Sequence, residues 1–265
     1  MNVFRWSDEH EWDVTLRSLM RPLLDGQVIQ EFLNQPPEMI VSDDLSWLEK
    51  VIKRAYGKKC GNVRELLACQ LSAHYDSVVA FHGCRPVSIE SYQTQGILPS
   101  NSEQLRNIAR ELFGQSAMVT SAIDHLAQSD SGSSFSYEEH NTGRCYFVLS
   151  YEHLVNSCGH YLLYGSEYLL CIANSIGKAH ILRNRGRATV IECQIPSSAL
   201  PSWFFKELAG SLLERMFSRL LEPSCEPDEL NFGFAIKNKT PPEGIIRFHF
   251  PTRIPNPHNR MMLED

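Results

Sequence analysis

Up to about residue 75, hydrophobic positions return every three or four places, the spacing that lines one face of an α-helix. This predicts helical pieces near 11–24, 43–56 and 62–72. In the last piece Asn62 offers an N-cap, and Val63, Leu66, Leu67 and Leu71 form one face. From residue 77 strands and helices mix. A strand over 77–82 leads into a helix over 86–95, with Pro86 at its first position and Gly96 past its end. Leu105, Ile108, Ala109, Leu112 and Phe113 give a helical stripe within 102–114. The polar stretch 127–144 reads as a surface loop, with a cover over a site as the alternative. Beyond it the pattern predicts a strand over 145–149, a helix across 151–163 and an apolar strand "YLLCIAN" over 168–174. In 187–195 Thr189, Ile191, Cys193 and Ile195 alternate on one face of a strand. A long helix over 203–221 carries Phe205, Leu208, Leu212, Met216 and Leu220 in register, and strands over 231–237 and 244–250 follow. Strands with interspersed helices and no regular βαβ alternation predict the α+β class. The expected organisation is a helical region over 1–75, one mixed domain over 76–255 and a tail over 256–265.

Composition narrows the function classes. The 265-residue chain is 43% hydrophobic and 21% charged, which is ordinary globular composition. Its net charge of −6 argues against broad nucleic-acid binding through a basic surface, while leaving room for a local basic patch. The opening "MNVFRWSDEHEWDV" has acids and tryptophans where a secretory signal places positive charge and a long apolar run. No run reaches membrane-spanning length, so the expected setting is cytoplasmic, with no membrane partner. Cysteines at 60, 69, 84, 145, 158, 171, 193 and 225 form no CxxC pair and fit reduced thiols better than a zinc site. GxGxxG, GxxxxGK[ST], HExxH and GxSxG are all absent, which removes the motif basis for dinucleotide-fold, phosphate-loop, zinc-protease and α/β-hydrolase chemistry.

Two constellations remain. In "VVAFHGCRPVSIESYQTQGILPS", residues 78–100, a strand ends on His82 and Gly83. A glycine there admits close approach to the backbone, and a histidine can hydrogen-bond a ribose hydroxyl. A strand-end histidine with a turn glycine is the plainer alternative. Arg85, beside that tip, is a candidate for a phosphate contact. The second constellation, 142–174, holds Tyr146, Tyr151, Tyr161 and Tyr164, followed by Gly165, Ser166 and Glu167. Tyrosine rings can carry a flat heteroaromatic ligand or simply fill a core. Glu167, between "YLLY" and "YLLCIA", is an acid in an apolar setting and therefore a candidate for chemistry. Arg183, Arg185 and Arg187 alternate in "RNRGRA", which reads first as a solvated turn and second as a phosphate or nucleic-acid contact.

The "FHG" strand, the "TGRCYF" strand with a helix behind it and the later glutamate together resemble the ADP-ribosyltransferase fold family, in its His–Tyr–Glu, diphtheria-toxin and poly(ADP-ribose) polymerase branch. The resemblance covers roughly 77–255 and implies a split β-sheet core behind the N-terminal helical region. It implies NAD as substrate and no metal. His82 would hold the adenosine-side ribose, the backbone of Gly83 would pair with the nicotinamide carboxamide, and Tyr146 would lie against the nicotinamide. The family's second tyrosine falls near Ser157, so Tyr161 or Tyr164 would have to replace it. Arg85 would meet the pyrophosphate. Glu167 is favoured as the catalytic acid, with Glu243 in "TPPEGIIRFHF" as its competitor. Gly165 stands where the arginine-modifying members carry a second acid, so an arginine target does not fit.

The resemblance implies a mono-ADP-ribosyltransferase that modifies a macromolecule, protein or RNA/DNA, in the manner of a bacterial toxin or antiviral defence effector, with a neutralising or regulatory protein as a further partner. The alternatives are an NAD glycohydrolase and a non-catalytic nucleotide- or partner-binding module of the same fold.

Overall fold

The computed structural model describes residues 1–21, 23–128, 142–223, 231–256 and 262–264. The loop expected over 127–144 and Cys225 therefore lie largely or wholly outside the described residues. The chain divides into two compact units, one of residues 1–79 and 196–230, the other of residues 80–195 and 231–265.

The first unit is mainly helical. Strand β1 (Val3–Phe4) pairs in parallel with the start of β2 (Ser77–Cys84), Val3 opposite Ser77 and Phe4 opposite Val78. Between them come α1 (Glu9–Leu19), α2 (Gly26–Asn34), α3 (Ser46–Tyr56) and α4 (Val63–His74). Asn62 caps α4 by accepting from the Glu65 amide, as its position before the apolar stripe predicts. Helix α2, which is not among the expected elements, is capped by Asp25. Phe32, Trp47 and Phe217 form a buried aromatic knot, Phe217 lying 4.7 Å from Phe32 and 5.2 Å from Trp47 between ring centroids. Arg64 donates to the Lys206 carbonyl at 2.9 Å and to Glu207 at 2.7 Å.

The second unit carries the sheet, in the order β5-β3-β2-β4-β6. After β2 come α5 (Glu90–Gln95), α6 (Ser102–Phe113), α7 (Ala117–Ala127), β3 (Cys145–Val148), α8 (Tyr151–Asn156), α9 (His160–Tyr164), α10 (Glu167–Ser175), α11 (Ala179–Arg183) and β4 (Thr189–Pro196). The chain then forms α12 (Phe204–Leu221), which belongs to the first unit, although the sequence groups it with the mixed domain. It returns as β5 (Gly233–Ile236), β6 (Ile245–His249), β7 (Arg253–Pro255) and β8 (Met262–Glu264). The β2–β3, β3–β5 and β4–β6 pairs are antiparallel, with Phe81 opposite Val148, Tyr146 opposite Ala235 and Ile191 opposite Phe248. The mixed, largely antiparallel architecture agrees with the α+β expectation. Beneath one part of the unit α6, α7, α10 and α11 enclose Phe113, Ile123, Tyr168 and Ile172. A second cluster joins Leu154, Leu162, Val190 and Ile254.

Three expected elements differ. "YLLCIAN" is helix α10, not a strand, because Ser166 caps it through the Leu169 amide and five of its residues are buried, so apolar positions fall on nearly every side. The helix expected over 86–95 is formed only from Glu90, and the Pro86 carbonyl accepts the Arg187 amide at 3.0 Å instead of starting a helix. The helix expected across 151–163 is broken into α8 and α9. At Gly159 a Cβ would stand 2.6 Å from the Pro255 carbonyl oxygen, so the chain bends where β7 passes closest. Among the described residues, no helix is long and apolar enough to cross a membrane.

Candidate functional site

His82, Gly83, Tyr146, Tyr161 and Glu167 are linked by contacts that start at β2. Strand β2 is buried over its first four residues and half-buried at Phe81, His82 and Gly83, so chemistry at its far end has access to solvent. His82 bonds through Nδ1 to the Tyr146 carbonyl oxygen at 2.9 Å. A carbonyl can only accept, so Nδ1 carries the proton and Nε2 presents a lone pair. Burial lowers the His82 pKa below its ordinary 6.5, and the bond to the Tyr146 carbonyl opposes that shift. The neutral ring is thus a hydrogen-bond acceptor at Nε2, suited to a ligand hydroxyl.

This shift has a measurable sign. The folded protein holds the His82 proton less tightly than the unfolded chain, so the stability His82 contributes is complete above the ordinary value of 6.5 and falls as the pH drops below it toward the folded value. Thermal unfolding between about pH 7.5 and 5.5 should therefore show a steeper loss for the wild type than for His82→Gln, which keeps a donor for Tyr146 but does not titrate. Equal slopes would remove the assignment.

Gly83 has a definite packing role. A Cβ at this position would stand 3.0 Å from Leu154 Cδ1 and 3.2 Å from Tyr161 Cβ. The missing side chain lets Tyr161 of α9 approach β2, and from there its hydroxyl donates to Glu167 Oε2 at 3.1 Å. Glu167 is the first residue of α10, where the helix dipole favours a carboxylate. It is half-buried, so the setting is less enclosed than the flanking apolar runs suggest. Burial is the largest cause raising the Tyr161 pKa, followed by the charge of Glu167 and the bond to it. The Tyr161 hydroxyl accordingly stays protonated and able to donate throughout the neutral range. Tyr146 is also raised, first by burial, with Arg144 opposing and the charge of Glu167 adding. The charges of Arg144 and Glu167 both act on Tyr146, and that of Glu167 acts on Tyr161, so Arg144, Tyr146, Tyr161 and Glu167 share one electrostatic neighbourhood.

Other candidates fall elsewhere. Arg85 donates from Nε to the Arg185 carbonyl at 3.1 Å and from Nη1 to the Leu162 carbonyl at 3.0 Å. Those bonds tie the strand tip to α9 and to the 185–187 turn, which gives Arg85 the part of a structural clamp. Tyr164 is half-buried and packs against both core clusters of the unit. Ser157 is the exposed C-cap of α8. Glu243 is exposed in a single 3-10 turn before β6 and has no hydrogen bond or ion pair among the described residues. Arg187 lies over the Phe250 ring at 4.2 Å, a local cation–π contact that accounts for one of the alternating arginines. Arg144 is the residue that sequence reasoning overlooks: an exposed cation two positions before Tyr146, in the same "TGRCYF" stretch.

Cys84, Cys145 and Cys193 are buried, and burial pushes the Cys84 and Cys145 thiols up to about 12, which suits inert core thiols. Among the described residues, no group of three or more His, Cys, Asp or Glu side chains could hold a metal ion. Set against known proteins, the chain matches no family model, no curated protein and no solved structure.

Proposed function

We propose that the second unit is an ADP-ribosyltransferase-like domain that takes NAD and transfers ADP-ribose to a macromolecular acceptor. One observation carries this reading: Tyr161, seated against Gly83 of β2, donates to the Glu167 carboxylate, whose charge reaches Tyr146, while His82 bonds the Tyr146 carbonyl from the same strand.

Each residue has a task that suits the chemistry. His82 Nε2 accepts a hydrogen bond from a hydroxyl of the adenosine-side ribose. Tyr146 lies along the nicotinamide, and the Gly83 backbone pairs with its carboxamide. Arg144, in place of Arg85, meets the diphosphate. Glu167 faces the nicotinamide-side ribose. When the bond between the ribose carbon and the nicotinamide nitrogen breaks, its electron pair leaves with nicotinamide, which departs neutral, and positive charge develops at the ribose carbon. A carboxylate near the 2′-hydroxyl stabilises that charge. The acceptor's nucleophilic atom then bonds to the ribose carbon and releases its proton to solvent. No metal enters the step.

The test is release of nicotinamide from NAD, read by mass spectrometry, in buffer and then with added protein lysate or total RNA. Release that rises with an acceptor, coupled to mass gained by that acceptor, is the expected result. Arg144→Ala should raise KM for NAD about tenfold while leaving kcat unchanged, the mark of an interaction made equally in ground and transition states. Absence of nicotinamide release under every condition would end the enzyme reading.

A further inference from the structure

We propose that Tyr161 is a positioning residue for Glu167, acting through its hydroxyl, and not a ring platform for the nicotinamide. The inference rests on the proposed function and adds a role for which that reading has no residue.

The geometry has two parts. Gly83 lacks the Cβ that would stand 3.2 Å from Tyr161 Cβ, so the base of the tyrosine is seated directly on β2. Its far end donates to Glu167 Oε2 at 3.1 Å. The ring thus spans from the strand tip that bears His82 to the first residue of α10, and it fixes the distance between the two. A carboxylate on a half-buried helix terminus has rotamers to lose, and a single donated hydrogen bond selects one of them. With Oε2 held, Oε1 is the oxygen left to face the substrate. The first turn of α10 supports the same orientation, since Ser166 fixes the helix start one residue earlier by accepting from the Leu169 amide.

A platform and a positioning hydroxyl differ in one substitution. Tyr161→Phe keeps the ring, its seat on Gly83 and its stacking area, and loses only the donor. Nicotinamide release by the Phe variant should show kcat about 10- to 30-fold lower with KM for NAD within about twofold of the wild type. If Tyr161 acts through Glu167, combining Tyr161→Phe with Glu167→Gln should give a rate no lower than Glu167→Gln alone. An unchanged melting temperature in Tyr161→Phe would separate the effect from loss of fold. Wild-type kcat in the Phe variant, or a multiplicative loss in the double variant, overturns the positioning role while leaving the transferase reading in place. A wild-type protein that releases no nicotinamide overturns that reading, and this inference with it.

Discussion

In the Glu167→Gln protein, nicotinamide release from NAD should fall by about 10²- to 10³-fold while the melting temperature hardly moves. The size follows from what is lost: a fixed charge beside a ribose carbon that turns positive in the transition state, an effect comparable to removing one oxyanion-hole donor. Stability is spared because Gln is nearly isosteric and its amide oxygen still accepts from the Tyr161 hydroxyl that now bonds Oε2 at 3.1 Å. The loss of negative charge at the first position of α10 costs about 0.5 kcal/mol through the helix dipole. KM for NAD should change little, since the carboxylate serves the transition state more than the ground state. The comparison that decides between the two acids is Glu243→Gln. Glu243 is exposed and without a partner among the described residues, so that variant should turn over like the wild type. Full turnover by Glu167→Gln together with loss in Glu243→Gln would reverse the assignment.

Much of the frame is legible in the sequence where one physical signal dominates. The alternation over 187–195 becomes β4, and the stripe from Phe205 to Leu220 becomes most of α12, because the periodic positions of each fall on a buried face. Where an apolar run is buried on several sides, periodicity is silent. "YLLCIAN" has the composition of a buried strand and the structure of a buried helix, and the deciding signal was the Ser166 cap before it, together with leucines and an alanine where a strand prefers β-branched residues. The assignment of α12 to the first unit depends on Arg64, Phe32 and Trp47, residues distant in sequence whose contacts no local pattern carries.

The site divides along the same line. His82, Tyr146, Tyr161 and Glu167 could be named from residue type and setting; Tyr161 bonds Glu167, whose charge reaches Tyr146, and His82 bonds the Tyr146 carbonyl. Their tasks could not be read in the same way. Arg85 looks like an anion ligand in sequence because it is a cation after a glycine, yet its donors go to the Leu162 and Arg185 carbonyls. Gly83 looks like a gap for a ligand, and the space that its side chain would take is filled by Tyr161 and Leu154. Side-chain partnership across a fold is a tertiary fact, invisible until the strands and helices are paired.

The second large effect concerns Gly186, between Arg185 and Arg187. Gly186 has φ of +72°, and a Cβ on it would stand 2.4 Å from the Pro86 carbonyl oxygen and 2.8 Å from the Arg85 carbonyl oxygen. Neither atom belongs to a flexible side chain, so the backbone itself must move. The left-handed conformation costs an L-residue about 1–2 kcal/mol, and forcing the two segments apart adds about 1–3 kcal/mol. Gly186→Ala should therefore lose about 3 kcal/mol and lower the melting temperature by on the order of 5–10 °C. The displaced segment is the one that bonds Arg187 to Pro86 and Arg85 to Arg185, at the end of the strand that carries His82 and Gly83. Strain there should weaken NAD binding as well as stability, so KM should rise in the surviving folded protein at temperatures well below its transition. Gly177→Ala is the control: its φ of +69° has the same conformational cost, but nothing lies within 4 Å of the added carbon. A melting loss in Gly186→Ala no larger than in Gly177→Ala would mean that the approach of Pro86 is soft and that the turn does not hold the strand tip in position.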